Sequence, residues 1–220
     1  MVKPILYIFG SSHVTQFSGQ NIAISETELC RYETEKCIYN LKRLGPCTAY
    51  NFFWNPSYFQ NVLNYLPQIN REQDYISLMI GEIDCRWHIG KQSTNKNLDI
   101  DIVIDEVVDR LFINNIYLKK LGFNVIVFSV HPASTYPACD SPNSPLFGDH
   151  IYRNNITRKF NNMLKYKCKI HNIIYLDYFE ELMIDNNTPD MNYFMDYLHI
   201  KSEMVLPIIE NKILNSINNV

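Results

Sequence analysis

The sequence lacks the features that mark several large classes of protein. No apolar run approaches the length needed to span a bilayer, so no membrane role is expected. Nothing near the N-terminus reads as a secretory signal. One lysine precedes a short apolar run that ends in Gly-Ser-Ser-His, with no small-residue cleavage pattern, and the expected location is cytoplasmic. Basic residues form no run longer than a pair, such as Lys42-Arg43 and Lys119-Lys120. With a net charge of −3 there is no field to attract nucleic acid. Cys30, Cys37, Cys47, Cys85, Cys139 and Cys168 contain no CxxC pair, and the histidines and cysteines show no metal-ligand spacing. Reduced thiols are therefore expected, with no metal and no cofactor. There is no internal repeat, low-complexity linker or break in composition, so residues 1–220 are expected to form a single domain.

What is present suits a packed core. Of the 220 residues, 46% are hydrophobic and 20% charged, the balance of an ordinary globular protein. The chain is organised around KPILYIFGSSHV, Lys3 to Val14. Here an apolar run stops at Gly10 and gives way to Ser11, Ser12 and His13. A short β-rich run that ends in glycine and small polar residues reads as a buried strand delivering a loop. In open α/β sheets, ligands bind just beyond the carboxyl ends of strands, which makes Ser12 a candidate nucleophile.

The remaining pattern alternates strands with helices. Ser25 or Thr27 can cap a helix toward Arg43, ended by Leu44-Gly45-Pro46. Cys47 to Phe53 reads as a second strand, Tyr58 to Leu66 as a short helix, and Asp74 to Ile80 as a third strand that stops at Gly81-Glu82-Ile83-Asp84. Cys85 to Asn97 reads as a long loop, Asp99 to Leu121 as a long helix, and Asn124 to Val130 as a fourth strand running into His131-Pro132. A helix over Tyr152 to Lys167, a fifth strand over Asn172 to Leu176, a helical turn over Phe179 to Ile184 and a closing helix over Ser202 to Ile217 complete the chain. Five strands alternating with helices predict a doubly wound α/β fold: a three-layer α/β/α sandwich around a parallel sheet of about five strands.

Gly10-Ser11-Ser12-His13 near the N-terminus, a glycine-led turn after the third strand, and Asp196-x-x-His199 before the last helix together resemble the SGNH, or GDSL-like, hydrolase superfamily. Order and spacing match across nearly the whole chain. The resemblance implies a flavodoxin-like sheet and a serine esterase in which Ser12 is the nucleophile, His199 the general base and Asp196 the group that orients the imidazole. It also implies a small acyl ester as substrate, with an O-acetylated carbohydrate first among them. The alternatives are a carbohydrate O-acyltransferase using the same triad, and a glycan-binding protein on the same scaffold without catalysis.

Two positions depart from the family pattern. Ser11 stands where the family usually has Asp. Ile83 stands where the family's Gly-x-Asn-Asp block places the Asn that donates to the oxyanion. The family's second block supplies a glycine amide after the second strand, and with that strand read at Cys47 to Phe53 no glycine follows it before Gly81. Asn51, Arg86 and His88 are candidates for the missing donor. Glu82, Asp84, Arg86 and His88, in the turn led by Gly81, form a polar cluster that either binds substrate or pairs charges within the loop, and Gly81 is counted with them as a candidate oxyanion or substrate contact. Trp87 is either a sugar platform or a packing lid. His131 reads as a strand terminator and His13 as a minor alternative base.

Overall fold

The computed structural model describes residues 3–52, 55–137 and 144–218. Its centre is a six-stranded sheet, built from β1 (Ile5–Gly10), β2 (Cys30–Glu33), β3 (Ile38–Arg43), β4 (Tyr75–Met79), β5 (Asn124–Phe128) and β6 (Ile174–Leu176), in the order β2-β3-β1-β4-β5-β6. All pairings are parallel except that of the edge strand β2 with β3. The parallel part thus has five strands, as the alternating pattern predicts, and the antiparallel β2 is an addition.

Side-chain alternation explains why the sheet is covered on both faces. Tyr7 and Phe9 of β1 enter one apolar cluster with Ile76, Leu78, Val125 and Val127. Leu6 and Ile8 enter the other with Tyr39, Leu41, Ile126 and Phe128. The first cluster is closed by α1 (Ala49–Phe52), α2 (Pro56–Leu63), α3 (Ile89–Lys96), α4 (Ile100–Lys120) and α5 (His150–Ile170). The second is closed by α6 (Ser202–Ile217) and a 3₁₀ segment over Ser12–Phe17. Among the described residues no helix is long and apolar enough to cross a membrane. Cys30, Cys37, Cys47, Cys85 and Cys168 are free thiols, and Cys139 lies outside the described residues.

Three expectations are corrected. The stretch expected as a helix toward Arg43 forms the hairpin β2–β3. It is rich in Glu, Lys and Arg, which favour helix, but tertiary pairing of Ile38–Arg43 along β1 overrides that local preference. The stretch from Cys47 is not a strand: Ala49–Phe52 is the helix α1, capped from afar by Asp84, while Phe53 lies outside the described residues. The long loop expected over Cys85 to Asn97 is a π-helical turn, Asp84–His88, running into α3. That helix ends at Asn97, which adopts the left-handed conformation common at helix C-termini.

Register positions the site. Gly10 is the residue where β1 lies opposite both Arg43 of β3 and Met79 of β4. The loops beginning at Ser11, Leu44 and Ile80 therefore leave the sheet side by side at its carboxyl edge. Gly10 is required there, because a Cβ would sit 2.1 Å from the Met79 carbonyl oxygen.

Candidate active site

The loop after β1 turns immediately into the 3₁₀ segment, with the Val14 N–H donating to the Ser11 carbonyl at 3.2 Å. This leaves Ser12 half-buried and facing a cavity of about 600 Å³. The far side of that cavity comes from the segment just before α6. There Asp196 Oδ1 accepts from the N–H groups of Leu198 at 2.6 Å and His199 at 2.7 Å, folding the chain into a tight turn. The turn aims the His199 ring back toward its own aspartate. His199 Nδ1 lies 2.9 Å from Asp196 Oδ2, and His199 Nε2 lies 3.0 Å from Ser12 Oγ.

The protonation pattern follows from these contacts. Burial alone would raise the Asp196 carboxyl, but the hydrogen bonds from the His199 ring and from the Leu198 and His199 N–H groups outweigh it. They hold the carboxyl below the usual aspartate range. An ionised Asp196 can only accept, so His199 Nδ1 carries the proton. The Nε2 lone pair then faces the serine hydroxyl, the state in which an imidazole can take its proton.

The other predicted residues divide. Arg86 lines the cleft along with Ile83. Glu82 is buried beneath it and accepts from Arg86 Nε at 3.0 Å, while Arg86 Nη1 donates to the Pro145 carbonyl at 2.7 Å. Asp84 is fully buried and faces away: it accepts from the N–H groups of Ala49 at 2.6 Å and Tyr50 at 3.2 Å. Burial pushes its carboxyl up to about 7, against those two donors. Gly81 is packed under Phe160 and Val130, and its carbonyl accepts from the Cys85 N–H.

Asn51 is exposed and lines a separate hollow with Thr48, Asn55 and Tyr58. His88 packs on the Tyr50 ring, with centroids 4.5 Å apart, and does not line the cleft. Trp87 stacks edge-on against Phe147 beneath Lys91 and is likewise absent from the cleft lining. Of Gly81, Glu82, Asp84, Arg86 and His88, then, Arg86 lines the cavity that holds Ser12, beside Ile83. Asp84 and Gly81 build the turn, and Asn51 and His88 lie elsewhere.

A second loop beside the serine loop is not foreseen in the sequence. With β3 at Ile38–Arg43, the glycine that follows the strand beside β1 is Gly45, which has φ +85°. The Leu44 N–H donates to the Gly10 carbonyl at 2.7 Å, which ties this loop to the serine loop. The N–H groups of Ser12 and Gly45 donate to no acceptor among the described residues. Gly45-Pro46 ends a strand here, not the helix expected toward Arg43. The cleft wall formed by Asn21, Ile22, Ala23 and Ile24 carried no signal at all.

The fold is that of the SGNH, or GDSL-like, hydrolases. Among solved structures, a GDSL-like lipase from Bacteroides thetaiotaomicron VPI-5482 superposes with a TM-score of 0.58 at 15% identity, over 100% of this chain and 92% of that one. A catalytic mutant of Axe2, an acetylxylan esterase from Geobacillus stearothermophilus, gives 0.56 at 13% identity over 98% and 95%. The lipase/acylhydrolase from Enterococcus faecalis gives 0.53 at 13% over 98% and 96%. No family model matches the sequence, and no curated protein is detectably similar to it.

Proposed function

We propose that this chain is a serine esterase that cleaves a small acyl ester through an acyl-enzyme on Ser12. The observation that carries the reading is the continuous relay from Ser12 Oγ to His199 Nε2 at 3.0 Å and from His199 Nδ1 to Asp196 Oδ2 at 2.9 Å. In this reading His199 takes the Ser12 proton as Oγ attacks the ester carbonyl, and Asp196 stabilises the resulting imidazolium. The same proton then goes to the leaving alkoxide. Water, deprotonated by His199, then attacks the acyl carbonyl; the acyl–Oγ bond breaks, Ser12 Oγ takes the proton back from His199, and the acid is released.

The developing oxyanion is stabilised by the backbone N–H groups of Ser12 and Gly45, which lie on neighbouring loops and donate to no acceptor among the described residues. Ile83 supplies no third donor. One missing donor slows such chemistry by about 10²–10³-fold, so a slow esterase is expected.

The cavity bears on the substrate. Its volume of about 600 Å³ exceeds what an acetyl group fills, leaving room for the alcohol. Thr15, Asn21 and Arg43 offer polar groups to a sugar's hydroxyls, while Ile22, Ile24 and Met195 give it an apolar side. An O-acetylated carbohydrate suits such a mixed wall, and acetylxylan esterases share the fold.

Intact-mass labelling with a fluorophosphonate tests the reading. One adduct on wild type, lost in Ser12→Ala and in His199→Ala, is the expected result. Folded wild type that takes no adduct would sink it. Repeating hydrolysis with an added glycan acceptor then separates release to water from transfer.

A further inference from the structure

We infer that His13 is a positioning residue that fastens the serine loop to the base loop and backs the His199 ring. The inference rests on the esterase reading and adds to it a device made from the two residues on either side of Ser12.

His13 directly follows the proposed nucleophile and lies at the cavity wall, yet only 5% of its surface is exposed. Its two ring nitrogens reach two different loops. Nδ1 lies 3.0 Å from Ser11 Oγ, and Nε2 lies 3.2 Å from the carbonyl oxygen of Leu198, the residue before His199. A carbonyl can only accept, so Nε2 carries the hydrogen. Nδ1 then accepts from the Ser11 hydroxyl, which locks that tautomer. The departure of Ser11 from the family's usual Asp is thereby explained: this position needs a donor toward His13, and an ionised carboxylate has none.

The ring makes a second contact with the same turn. His13 stacks on His199 with centroids 5.3 Å apart and planes inclined by 26°, and it also meets the buried His131 with centroids 4.9 Å apart. The turn over residues 196–199 is thus held from inside by Asp196 Oδ1 on two N–H groups and from behind by His13 on the Leu198 carbonyl. Without the second hold, rotation of the Leu198 peptide would move the base relative to Ser12. Displacing a reacting group by an ångström can cost on the order of 10²-fold in rate.

His13 suits this task because it stays neutral. Burial, with His131 and His199 beside it, holds its pKa well below the ordinary imidazole value. A neutral ring adds no like charge behind His199 when that residue becomes an imidazolium during the reaction. Glu82 Oε2, 3.7 Å from His13 Nε2, adds negative potential on the same side.

The test compares fluorophosphonate labelling rates of wild type, His13→Phe, His13→Gln and Ser11→Ala, each checked for folding by circular dichroism. Phe keeps the ring and loses both hydrogen bonds, whereas the Gln amide places an N–H near the position of Nε2. Labelling is expected to slow roughly 10- to 100-fold in His13→Phe. His13→Gln should recover most of that loss, and Ser11→Ala should fall between. A merely structural role predicts no recovery by Gln beyond the recovery of folding.

If folded His13→Phe labels at the wild-type rate, or if Gln is as slow as Phe, the positioning role is overturned while the esterase reading stands. Should His13→Phe not fold, Ser11→Ala labelling at the wild-type rate overturns the role in its place. A wild type that does not label overturns both.

Discussion

Substituting Glu82 with Ala tests whether the floor of the cleft is held by charge pairing. Glu82 is 9% exposed and Arg86 7%, and the 3.0 Å contact between them spans one helical turn. Truncating Glu82 leaves the guanidinium buried with the Pro145 carbonyl as its remaining hydrogen-bond partner among the described residues. Breaking a buried pair by removing one member costs about 3–5 kcal/mol, because the surviving charge has lost both its partner and its water. The Pro145 contact places Glu82→Ala toward the lower end, about 3 kcal/mol.

Glu82→Gln keeps an oxygen that accepts from Arg86 Nε and should cost less. Removing both charges as Glu82→Met with Arg86→Met should bring stability back to within about 1 kcal/mol of wild type, since an apolar pair of similar volume needs no desolvation of ions. The assay is urea unfolding at constant m-value, read as a double-substitution cycle. The reasoning fails if Glu82→Ala costs less than about 1 kcal/mol, or if the double substitution costs the sum of the singles.

Two further outcomes are expected. Ile83→Asn places an amide on the wall of the cavity that holds Ser12 and should raise hydrolysis of a small activated acetyl ester by up to about 10²-fold; an unchanged rate means that this side chain does not reach the oxyanion. His13 and His131 both titrate below the ordinary imidazole value of 6.5 because they are buried. As pH falls below that value the unfolded chain takes up protons that the folded chain refuses, so stability must fall with it, by up to about 1.4 kcal/mol per pH unit for each group. Replacing His13 with Gln should remove one group's share of that slope in thermal or urea unfolding between pH 7 and 5.

Asp84 acts in the opposite sense. Its folded value near 7 lies above the ordinary 3.8, so its contribution is lost as pH rises between those values.

The parts of the fold written in short-range pattern were legible. β1, β4 and β5 are runs with both faces apolar, and α4, α5 and α6 carry long helical periodicity; both signals reflect burial that each segment meets for itself. The convergence of Ser12, Asp196 and His199 was legible for a related reason. Each ends or precedes such a segment, and a parallel sheet carries all its strand ends to one edge.

What failed was set by partners distant in sequence. The hairpin of β2 and β3 is a charge-rich stretch whose Ile38–Arg43 half becomes a strand only because β1 offers it a ladder, with Gly10 meeting Arg43 in register. Once that strand is misread as helix, Gly45 becomes a helix stop, and the second loop of the site disappears from view with it. Likewise nothing in residues 49–52 announces a helix, because its cap is the Asp84 carboxylate 35 residues from Ala49.

The same long-range logic reassigns the polar residues that follow β4. In sequence, Glu82, Asp84, Arg86 and His88 form one dense cluster, inviting one role. A π-helical turn then rotates successive side chains in different directions. Asp84 goes to the α1 N-terminus, His88 to Tyr50, and Glu82 and Arg86 to each other under the cleft. Adjacency along the chain marked where polar groups collect beyond a strand. Their roles were decided by which buried donors and charges each could reach.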